Sequence, residues 1–446
     1  MKLTELTALS PLDGRYRAQT TALAGYFSEY ALIKYRLVME VNYIKALTRI
    51  PLPALSKFPK NGLPKLDSII TTFDTTAARR IKTLEKTTNH DVKAVEYYLK
   101  EQFQKLGLAR YQEFIHFALT SQDINNTAVP LSLKDAHTEV ILPALKQLLS
   151  TLKRLSKQWK QVPMLAHTHG QPASPTRLGK EIEVYVSRLT SQIDSLGAIP
   201  MAAKFGGATG NFNAHVVAFP KVDWEKFSDK WIKSLGLHRS TPTTQIEHYD
   251  FLAAYLDNIK RINTILTDFA QDVWLYIAKN YFTQKIKKGE VGSSTMPHKV
   301  NPIDFENAEG NFGMATALCN HLSSKLPISR LQRDLTDSTV LRNLGVLLGY
   351  SLLGINSLSK GCDKLQLNKS ALVKDLDNNW AVVGEAIQTI LRREGYTNPY
   401  ETLKELTRNN RKISKESLAE FIEGLKISNA VKHELNEITP FNYTGI

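Results

Sequence analysis

Cysteine is scarce in this chain of 446 residues, which contains only Cys319 and Cys362. Neither belongs to a CxxC pair, so the sequence argues against a disulfide framework and against a cysteine zinc site. Runs of about 18 uncharged apolar residues are also lacking, as is an apolar segment in the N-terminal MKLTELTALSPLDGRY. We therefore expect a cytoplasmic protein with neither a membrane span nor a secretory leader.

Acidic residues are outnumbered by basic ones, 43 against 57, which gives a formal net charge of +14. Such an excess is compatible with nucleic-acid binding. The lysines are spread along the chain, however, and form no dense basic block interleaved with aromatic residues. We expect a lysine-rich surface and no nucleic-acid partner, although a positive field would also attract a small polyanionic substrate.

Strict alternation of apolar and polar residues is rare as well, which predicts few strands. Apolar residues instead recur at intervals of three and four in the runs 141–159, 182–196, 255–276 and 341–355. This spacing gives a helix one apolar seam and favours long helices that pack at shallow angles. The sequence thus predicts an all-α fold with a central bundle of long helices.

The length exceeds that of one ordinary domain of roughly 100–200 residues. We divide the chain into an N-terminal helical domain, 1–111, a central long-helix bundle, 112–364, and a small C-terminal helical domain, 365–446. The run at 255–276 is apolar around much of its circumference, since Leu256, Ile265 and Leu275 lie outside its seam. Such a helix must be buried on several sides, so we predict a homo-oligomer.

The segment GSSTMPHKVNP at 292–302 has the highest density of candidate chemical groups. Ser293 and Ser294 offer hydroxyls and backbone amides, Lys299 offers a cation and Asn301 an amide. An anionic ligand such as a carboxylate needs donors of this kind. Taken alone, a Gly-Ser-Ser run is more often a plain loop than a catalytic element.

A second segment, HTHGQP at 167–172, belongs to a polar connection expected to form a loop at 163–176. It places His167 and His169 on either side of a threonine, and Gly170 permits close backbone approach. A zinc site is disfavoured because no nearby Cys or His cluster supplies further ligands. A surface or hydrogen-bonded histidine without function is the remaining alternative.

A third segment, TTNHDVKAVEYYLKEQF at 87–103, predicts a helix start. Thr88 and Asp91 have the spacing of a capping box, and Val92 and Leu99 share one helical face. His90 would then lie at a helix N-terminus, where backbone amides and the helix dipole favour anions. A well-capped helix without any function is the alternative interpretation.

Weaker polar clusters are SPLDGRY at 10–16, TSQDINN at 120–126, TTQIE at 243–247 and RLQRDLTDSTVLRN at 330–343. Arg15, Arg333 and Arg342 are bidentate donors of the kind that a phosphate or carboxylate needs. An isolated arginine is nonetheless usually a solvated surface residue.

Taken as a set, these segments resemble the adenylosuccinate lyase family of the fumarase/aspartase superfamily. GSSTMPHKVNP is similar to the superfamily's signature loop, and His298 within it is typical of the adenylosuccinate lyase branch. HTHGQ at 167–171, TTNHD at 87–91, TSQD at 120–123 and DLTDSTVLRN at 334–343 resemble motifs of the same family. The resemblance implies a three-part helical chain that assembles into a homotetramer with active sites shared between subunits.

The resemblance also implies a reaction: elimination of fumarate from adenylosuccinate, giving AMP, and from the succinylocarboxamide ribotide SAICAR, giving AICAR. Neither step would need a metal or an organic cofactor. The general base would be Ser293 and the general acid His169, while Lys299 and Asn301 would stabilise an aci-carboxylate intermediate. The substrate contacts implied are Arg15, Tyr16, Asn89, His90, Asp91, Thr120, Ser121, Gln245, Ser294, Lys299, Val300, Asn301, Asn307, Arg333, Ser338, Thr339, Val340, Leu341 and Arg342. Phosphate and ribose would contact mainly the arginines, Tyr16 and Ser338.

Three alternatives stay open within the superfamily. A carboxymuconate-type cycloisomerase can share the Met-Pro-His-Lys stretch, but it holds no nucleotide, so TTNHD and STVLRN favour the lyase. Argininosuccinate lyase fits His298 and Val300 less well. A non-catalytic scaffold, such as the lens proteins derived from this superfamily, is disfavoured by the retained Ser293, His169 and Lys299. Related chains are expected to continue with a helical tail after TPFNYTGI, and whether such a tail stabilises a tetramer is left open.

Overall fold

The computed structural model describes residues 3–285, 296, 299–407 and 413–446. The chain divides into two compact units, each assembled from three stretches of sequence. The first unit comprises 1–146, 191–264 and 310–356, and the second comprises 147–190, 265–309 and 357–446. The three domains predicted from the sequence are a separate division of the chain, and their boundaries stay predictions.

Helices dominate the described residues, and the all-α prediction is confirmed. The α-helices are α1 Arg17–Thr20, α2 Ala24–Phe27, α3 Glu29–Leu47, α4 Gly62–Thr71, α5 Thr75–Thr88, α6 Asp91–Lys105, α7 Ser121–Ala136, α8 Leu142–Gln158, α9 Leu178–Ala198, α10 Asn213–Ala218, α11 Trp224–Ser234, α12 Asp250–Ala278, α13 Ile303–Lys325, α14 Thr336–Leu341, α15 Leu344–Lys364, α16 Lys369–Asp377, α17 Gly384–Arg393, α18 Pro399–Thr407, α19 Lys415–Gly424 and α20 Asn429–Asn436. The short strands are β1 Pro163–Thr168, β2 Gln171–Arg177, β3 Ala202–Ala203, β4 His238–Arg239, β5 Phe282–Gln284 and β6 Leu365–Leu367. They form three two-stranded sheets, β1–β2, β3–β4 and β5–β6.

The long helices follow the apolar seams that the sequence predicted. Leu152 in α8, Leu189 in α9 and Leu266 in α12 are each at most 1 % exposed. Tyr276 and Leu341, at the ends of their runs, are only partly buried. Five helices of the described residues, α8, α9, α12, α13 and α15, contribute residues to both units.

Side-chain caps determine where the helices near the site begin. Ser28 accepts the backbone N–H of Ala31 at the start of α3, and Asp223 caps α11 in the same way. At α7 the side chains and backbones of Thr120 and Asp123 form a reciprocal capping box. Each cap satisfies backbone donors that a helix start would otherwise leave unpaired.

The connection at 163–176 is an antiparallel β-hairpin, so the expectation of a loop was wrong. Thr168 pairs with Gln171, which leaves a two-residue turn of His169 and Gly170 with φ values of 53° and 74°. Two successive residues of positive φ match the twist of the flanking strands, and glycine adopts that conformation without strain. The hairpin therefore presents His169 at its tip.

The core of the first unit gathers around α3, where Leu37, Val41 and Ile44 are fully buried. Tyr43 of the same helix packs against the rings of Phe205 and Trp231. In the second unit, residues between 380 and 435 have a hydrophobic core of their own.

Both cysteines are buried, Cys319 in the first unit at 0 % exposure and Cys362 in the second at 2 %. Burial raises the pKa of each thiol to about 12. Within the described residues one helical stretch, 336–364, is long and apolar enough to cross a membrane by composition, with a mean hydropathy of 1.3. Half of its most apolar window is buried inside the protein, as in the core helices of soluble proteins, so this stretch is weak evidence for a membrane span.

Candidate active site

Two of the polar segments meet in the first unit at the junction of α5 and α6. Helix α5 ends at Asn89, whose left-handed φ of 49° turns the chain, and His90 caps α6 by accepting the Lys93 amide at Nδ1. The Nε2 atom of His90 lies 3.5 Å from Oγ of Ser121 at the start of α7. The prediction that Thr88 caps α6 was wrong by two residues. Thr88 is still the last residue of α5, and the left-handed Asn89 follows it before the cap at His90.

Asp91, the first residue of α6, connects this junction to two arginines. Its Oδ2 atom lies 2.7 Å from Nη2 of Arg36 and 3.6 Å from Nη2 of Arg342. Burial by itself raises the pKa of the Asp91 carboxyl, but Arg36, the N–H of Val92 and Arg342 outweigh it and lower that pKa. Asp91 is therefore a carboxylate that orients two guanidinium groups.

Arg36 is a buried cation, 4 % exposed, in helix α3. Its Nε atom donates to Oδ1 of Asn125 at 2.8 Å, whereas its Nη1 atom is buried without a hydrogen-bond partner among the described residues. A buried donor without an acceptor costs about 1–3 kcal/mol, and more when it is charged. An anionic oxygen placed beside Nη1 would remove that cost.

Arg36 and Arg342 line one cavity of about 230 Å³, which we call the arginine cavity. The other residues that line it are Tyr26, Phe27, Ser28, Glu29, Leu32, Gln122, Asn125, Val129, Ser132, Ser338, Leu341 and Leu344. Its volume is below the roughly 300–1,000 Å³ typical of whole-ligand pockets. It would therefore enclose only one part of a small-molecule ligand.

Glu29 balances the charge of the arginine cavity. Its Oε2 atom lies 2.8 Å from Nη1 of Arg342, and its Oε1 atom lies 3.1 Å from Nζ of Lys82. Burial raises the pKa of the Glu29 carboxyl, but Lys82 and Arg342 outweigh it and lower that pKa. The cavity thus contains arginines whose direction is fixed by ionised carboxylates.

A buried ion pair holds the start of α7. Oδ1 of Asp123 accepts from Nζ of Lys204 at 2.8 Å and from the amides of Gly206 and Gly207 at 2.9 and 3.1 Å. Oδ2 of Asp123 accepts the amide of Thr120 at 2.8 Å. Removing one partner of a fully buried pair costs about 3–5 kcal/mol. The pair therefore fixes the backbone at Thr120, one of the predicted substrate contacts.

A chain of polar contacts connects the DLTDS segment to α7. Nη1 of Arg333 lies 3.9 Å from Oδ2 of Asp337, and the Gln122 carboxamide faces the same guanidinium. The Tyr249 hydroxyl donates to Asp337 at 2.8 Å and accepts from Asn126 at 2.7 Å. These contacts thus hold in place the segment that carries Ser338 and Arg342.

The predicted general acid lies in the second unit. His169 is exposed at the hairpin tip, so its ring is accessible to a ligand. His167 is more enclosed on β1, with Nε2 3.8 Å from Oδ2 of Asp375. Burial lowers the pKa of His167, and the cation of Lys279 lowers it further. Of the two histidines, His169 is the more exposed.

The signature loop is described only in part. The predicted base Ser293 and its neighbour Ser294 lie outside the described residues. Lys299 is exposed shortly before α13, and the carbonyl of Val300 accepts from Nε2 of Gln284 at 3.3 Å.

The remaining predicted contacts near α13 and α14 have varied surroundings. Asn301 is partly buried, and Nδ2 of Asn307 donates to Oγ of Ser357 at 2.9 Å. On α14, Thr339 is exposed and Val340 is partly buried.

Three predicted contacts of the first unit lie elsewhere. The exposed Arg15 has its guanidinium carbon 5.8 Å from the ring centroid of Tyr16, and Gln245 donates to the carbonyl of Ala208 at 3.2 Å. In the part of the chain that the structure describes, no hydrogen bond or ion pair joins these three to the arginine cavity.

Comparison with known proteins identifies the family. A family model described as lyase matches residues 14–316, and a second, described as adenylosuccinate lyase C-terminal, matches residues 329–444. The adenylosuccinate lyases of Dictyostelium discoideum and Escherichia coli K12 are 56 % and 50 % identical, over 100 % of this chain and 98 % of their own length. The chain belongs to the adenylosuccinate lyase family.

Solved structures outside the adenylosuccinate lyases share the fold. The 3-carboxy-cis,cis-muconate lactonizing enzyme of Pseudomonas putida has a TM-score of 0.74 at 20 % identity, and the fumarate lyase of Mesorhizobium sp. BNC1 has 0.75 at 17 %. Each likeness covers 95 % of this chain and 94 % of the other. Because a muconate enzyme has this fold too, sequence identity rather than shape separates the adenylosuccinate lyase family from the cycloisomerase alternative.

In this member of the adenylosuccinate lyase family, two charged residues that line the arginine cavity, Glu29 and Arg36, were absent from the predicted contacts. Asn125 lay within the polar cluster TSQDINN but was not predicted as a contact either. A signal for Arg36 was present, because Arg36 and Glu40 stand one turn apart on the same side of the helix EYALIKYRLVMEVNYIKAL, next to the apolar residues Leu37, Val41 and Ile44. Charged residues in such a helix are buried only when they are paired. Glu29 offered no comparable signal, since it occupies an ordinary polar helix position.

Proposed function

We propose that this chain eliminates fumarate from adenylosuccinate to give AMP, and from SAICAR to give AICAR. The observation that carries this proposal is the whole-length identity with adenylosuccinate lyases, 56 % for that of D. discoideum. The arginine cavity supports it, because both substrates carry a phosphate and carboxylates.

The reaction removes a proton from the carbon beside a carboxylate and then expels a nitrogen leaving group. We assign the proton abstraction to Ser293 and the protonation of the leaving nitrogen to His169. The carbanion is an aci-carboxylate with two negative charges on one carboxyl group, which Lys299 and Asn301 would stabilise. The exposed position of His169 at a rigid turn supports its part in this scheme.

The arginine cavity is proposed to hold the phosphate end of the substrate. Arg342 offers a planar pair of donors, Ser338 a hydroxyl, and Arg36 a buried Nη1 without a partner among the described residues. A phosphate accepts several such donors at once.

We further propose a cytoplasmic homotetramer with shared active sites that requires neither a metal nor an organic cofactor. Support for assembly comes from large apolar side chains that are exposed on the long helices of the single chain. They are Val184 at 43 %, Trp274 at 41 %, Leu275 at 50 % and Met314 at 50 %. The scarcity of cysteine supports a reducing compartment.

The first experiment is to incubate the purified chain with adenylosuccinate, with and without EDTA, and to follow AMP and fumarate. We expect both products in equal amounts, unaffected by EDTA. A folded oligomer that gives no product would reject the proposal, and a parallel incubation with a carboxymuconate would test the cycloisomerase alternative.

The assignment of Ser293 is tested by Ser293→Ala. We expect turnover to be abolished while adenylosuccinate still binds, and retained turnover would move the base elsewhere. Ser195→Ala is the matched control, because Ser195 is an exposed serine on α9 whose hydroxyl donates to a backbone carbonyl of its own helix.

A further inference from the structure

A second cavity lies in the first unit, between the last turns of α3 and the helix α11, and we call it the basic cavity. Its volume is about 700 Å³. Its lining includes Lys45, Arg49, Lys221, Lys226, Lys230 and Trp231. None of them lines the arginine cavity, and none was selected in the sequence analysis.

Positive charge predominates in the basic cavity. Its cationic residues are Lys45, Arg49, Lys221, Lys226 and Lys230. Lys45 forms an ion pair with Asp67 at 2.5 Å, while the other four form no ion pair with any residue that the structure describes. The single carboxylate of the lining, Asp223, is already engaged as the cap of α11, where it accepts the Lys226 amide at 2.9 Å. Four cations are thus available to an anion.

The inner wall of the basic cavity contains an unsatisfied donor. Trp231 is only 4 % exposed, and its indole Nε1 has no hydrogen-bond partner among the described residues. The ring is held in place by Tyr43 and Phe205, at centroid distances of 5.6 and 4.8 Å. A buried indole N–H usually finds an acceptor, so a ligand oxygen or ring nitrogen would complete this wall.

Apolar groups lie beside the cations. Phe227, Val222 and Ile50 line the same cavity, so it offers both apolar and cationic contacts. Its volume falls within the roughly 300–1,000 Å³ typical of small-molecule sites, which combine apolar walls with a few polar groups. A ligand that matches this lining is a polyanion with an aromatic part.

We propose that the basic cavity binds a nucleoside di- or triphosphate at a site separate from the substrate site. The phosphates contact the four available cations, and the base lies against the apolar wall beside Trp231. The binding of a nucleotide here is independent of the elimination reaction, so the proposal can fail without affecting the proposed function.

The test is calorimetric titration of the full chain with ATP, tripolyphosphate and adenosine. We expect ATP to bind at least about tenfold more tightly than either part alone, because each part reaches only one half of the lining. Tripolyphosphate that binds as tightly as ATP would overturn the nucleotide assignment, and so would the absence of any ATP binding.

Lys230→Glu and Lys233→Glu provide a matched pair of exposed lysines on α11, of which only Lys230 lines the basic cavity. We expect Lys230→Glu to weaken ATP binding about tenfold or more and Lys233→Glu to leave it nearly unchanged. Arg342→Ala should leave ATP binding unchanged as well. If ATP binding is lost in Arg342→Ala and retained in Lys230→Glu, ATP occupies the arginine cavity and the proposal is overturned.

Trp231→Phe retains a ring of similar packing and removes only the N–H. We expect a several-fold loss of ATP affinity, with elimination activity and thermal midpoint close to those of the unaltered chain. Unchanged ATP affinity in both Trp231→Phe and Lys230→Glu would exclude the basic cavity as the site.

Discussion

Among single residues, the carboxylates of Asp91 and Glu29 are as important for the geometry of the arginine cavity as its two arginines. Asp91 lies against both Arg36 and Arg342, and Glu29 holds Arg342 from another side. These contacts fix the planar guanidinium groups before a substrate arrives, which lowers the entropy lost on binding. A lysine at either arginine position would keep the charge but lose the bidentate geometry.

We expect Arg342→Ala to raise the KM for adenylosuccinate about 10- to 100-fold, because a hydrogen bond to a charged group contributes about 1.5–3 kcal/mol. Steady-state kinetics on the purified chain measures this change. Arg80→Ala is the control, since Arg80 forms an exposed ion pair with Glu101 on the surface of the same unit. Equal KM values in the two variants would remove Arg342 from the substrate site.

His215 makes the stability of the first unit depend on pH. It is fully buried beside the Tyr43 hydroxyl, and burial lowers its pKa to about 4 from the ordinary histidine value of 6.5. Above pH 6.5 both the folded and the unfolded chain hold a neutral ring. As the pH falls below 6.5 only the unfolded chain takes up the proton, so stability decreases until the folded ring also titrates near 4.

The expected loss over that range is about 3 kcal/mol, from about 1.4 kcal/mol per unit of pKa. Urea unfolding midpoints between pH 7 and pH 5 should therefore decrease more in the unaltered chain than in His215→Gln, whatever the absolute stability of the variant. If the midpoints of the two chains decrease equally with pH, His215 does not cause the loss of stability.

Among the elements, long helices were predictable and the hairpin was not. A seam that recurs every three or four residues over many turns leaves little doubt about a helix, and in α8 and α12 its members other than Tyr276 are buried. The hairpin strands are short, lack alternation and contain Pro172 and Pro175. Its turn residues His169 and Gly170 were noticed as a motif rather than as a turn, because positive φ at a histidine has no sequence signal.

The candidate site could be predicted only in part, for a similar reason. Asp91 was selected by motif, but its partner Arg36 lies far away in the sequence, and no spacing rule connects them. The cap at His90 was displaced from the predicted Thr88, because a left-handed Asn89 ends α5. The roles of Ser293 and His169 rest on family resemblance and stay predictions.

The hairpin turn allows a test of His169 that separates chemistry from structure. Asparagine tolerates the left-handed φ of this position, so His169→Asn should preserve the turn while removing the acid. We expect kcat to fall by at least about 100-fold with little change in KM, since general acid catalysis contributes about 10²–10⁴-fold.

Gly170→Ala is the complementary variant, because alanine at a φ of 74° strains the turn without altering the histidine. We expect a smaller loss of kcat together with a lower thermal midpoint. A normal kcat in His169→Asn would assign the proton to another donor.

For the whole molecule, the proposed assembly can be tested at the apolar side chains left exposed on the long helices. Leu275 on α12 is 50 % exposed, and Val217 on α10 is 86 % exposed. If Leu275 lies in the interface of the proposed tetramer, Leu275→Asp should break it into smaller species and reduce activity, because a buried carboxylate at an interface has no partner. Sedimentation analysis compares each variant with the 50.2 kDa mass of one chain.

Val217→Asp is the control for that experiment. Val217 is more exposed than Leu275 but lies on a short helix outside the long-helix set. Dissociation by Val217→Asp alone, or a tetramer that survives Leu275→Asp, would place the interface elsewhere.

The two buried thiols can report when each unit opens. Cys319 belongs to the first unit and Cys362 to the second, and neither can be alkylated until the surrounding structure opens. Labelling rates at each cysteine, resolved by peptide mass spectrometry in increasing denaturant, therefore report the opening of each unit without any engineered probe. Identical labelling rates at both positions would show that the chain opens cooperatively. Different rates would show which unit opens first.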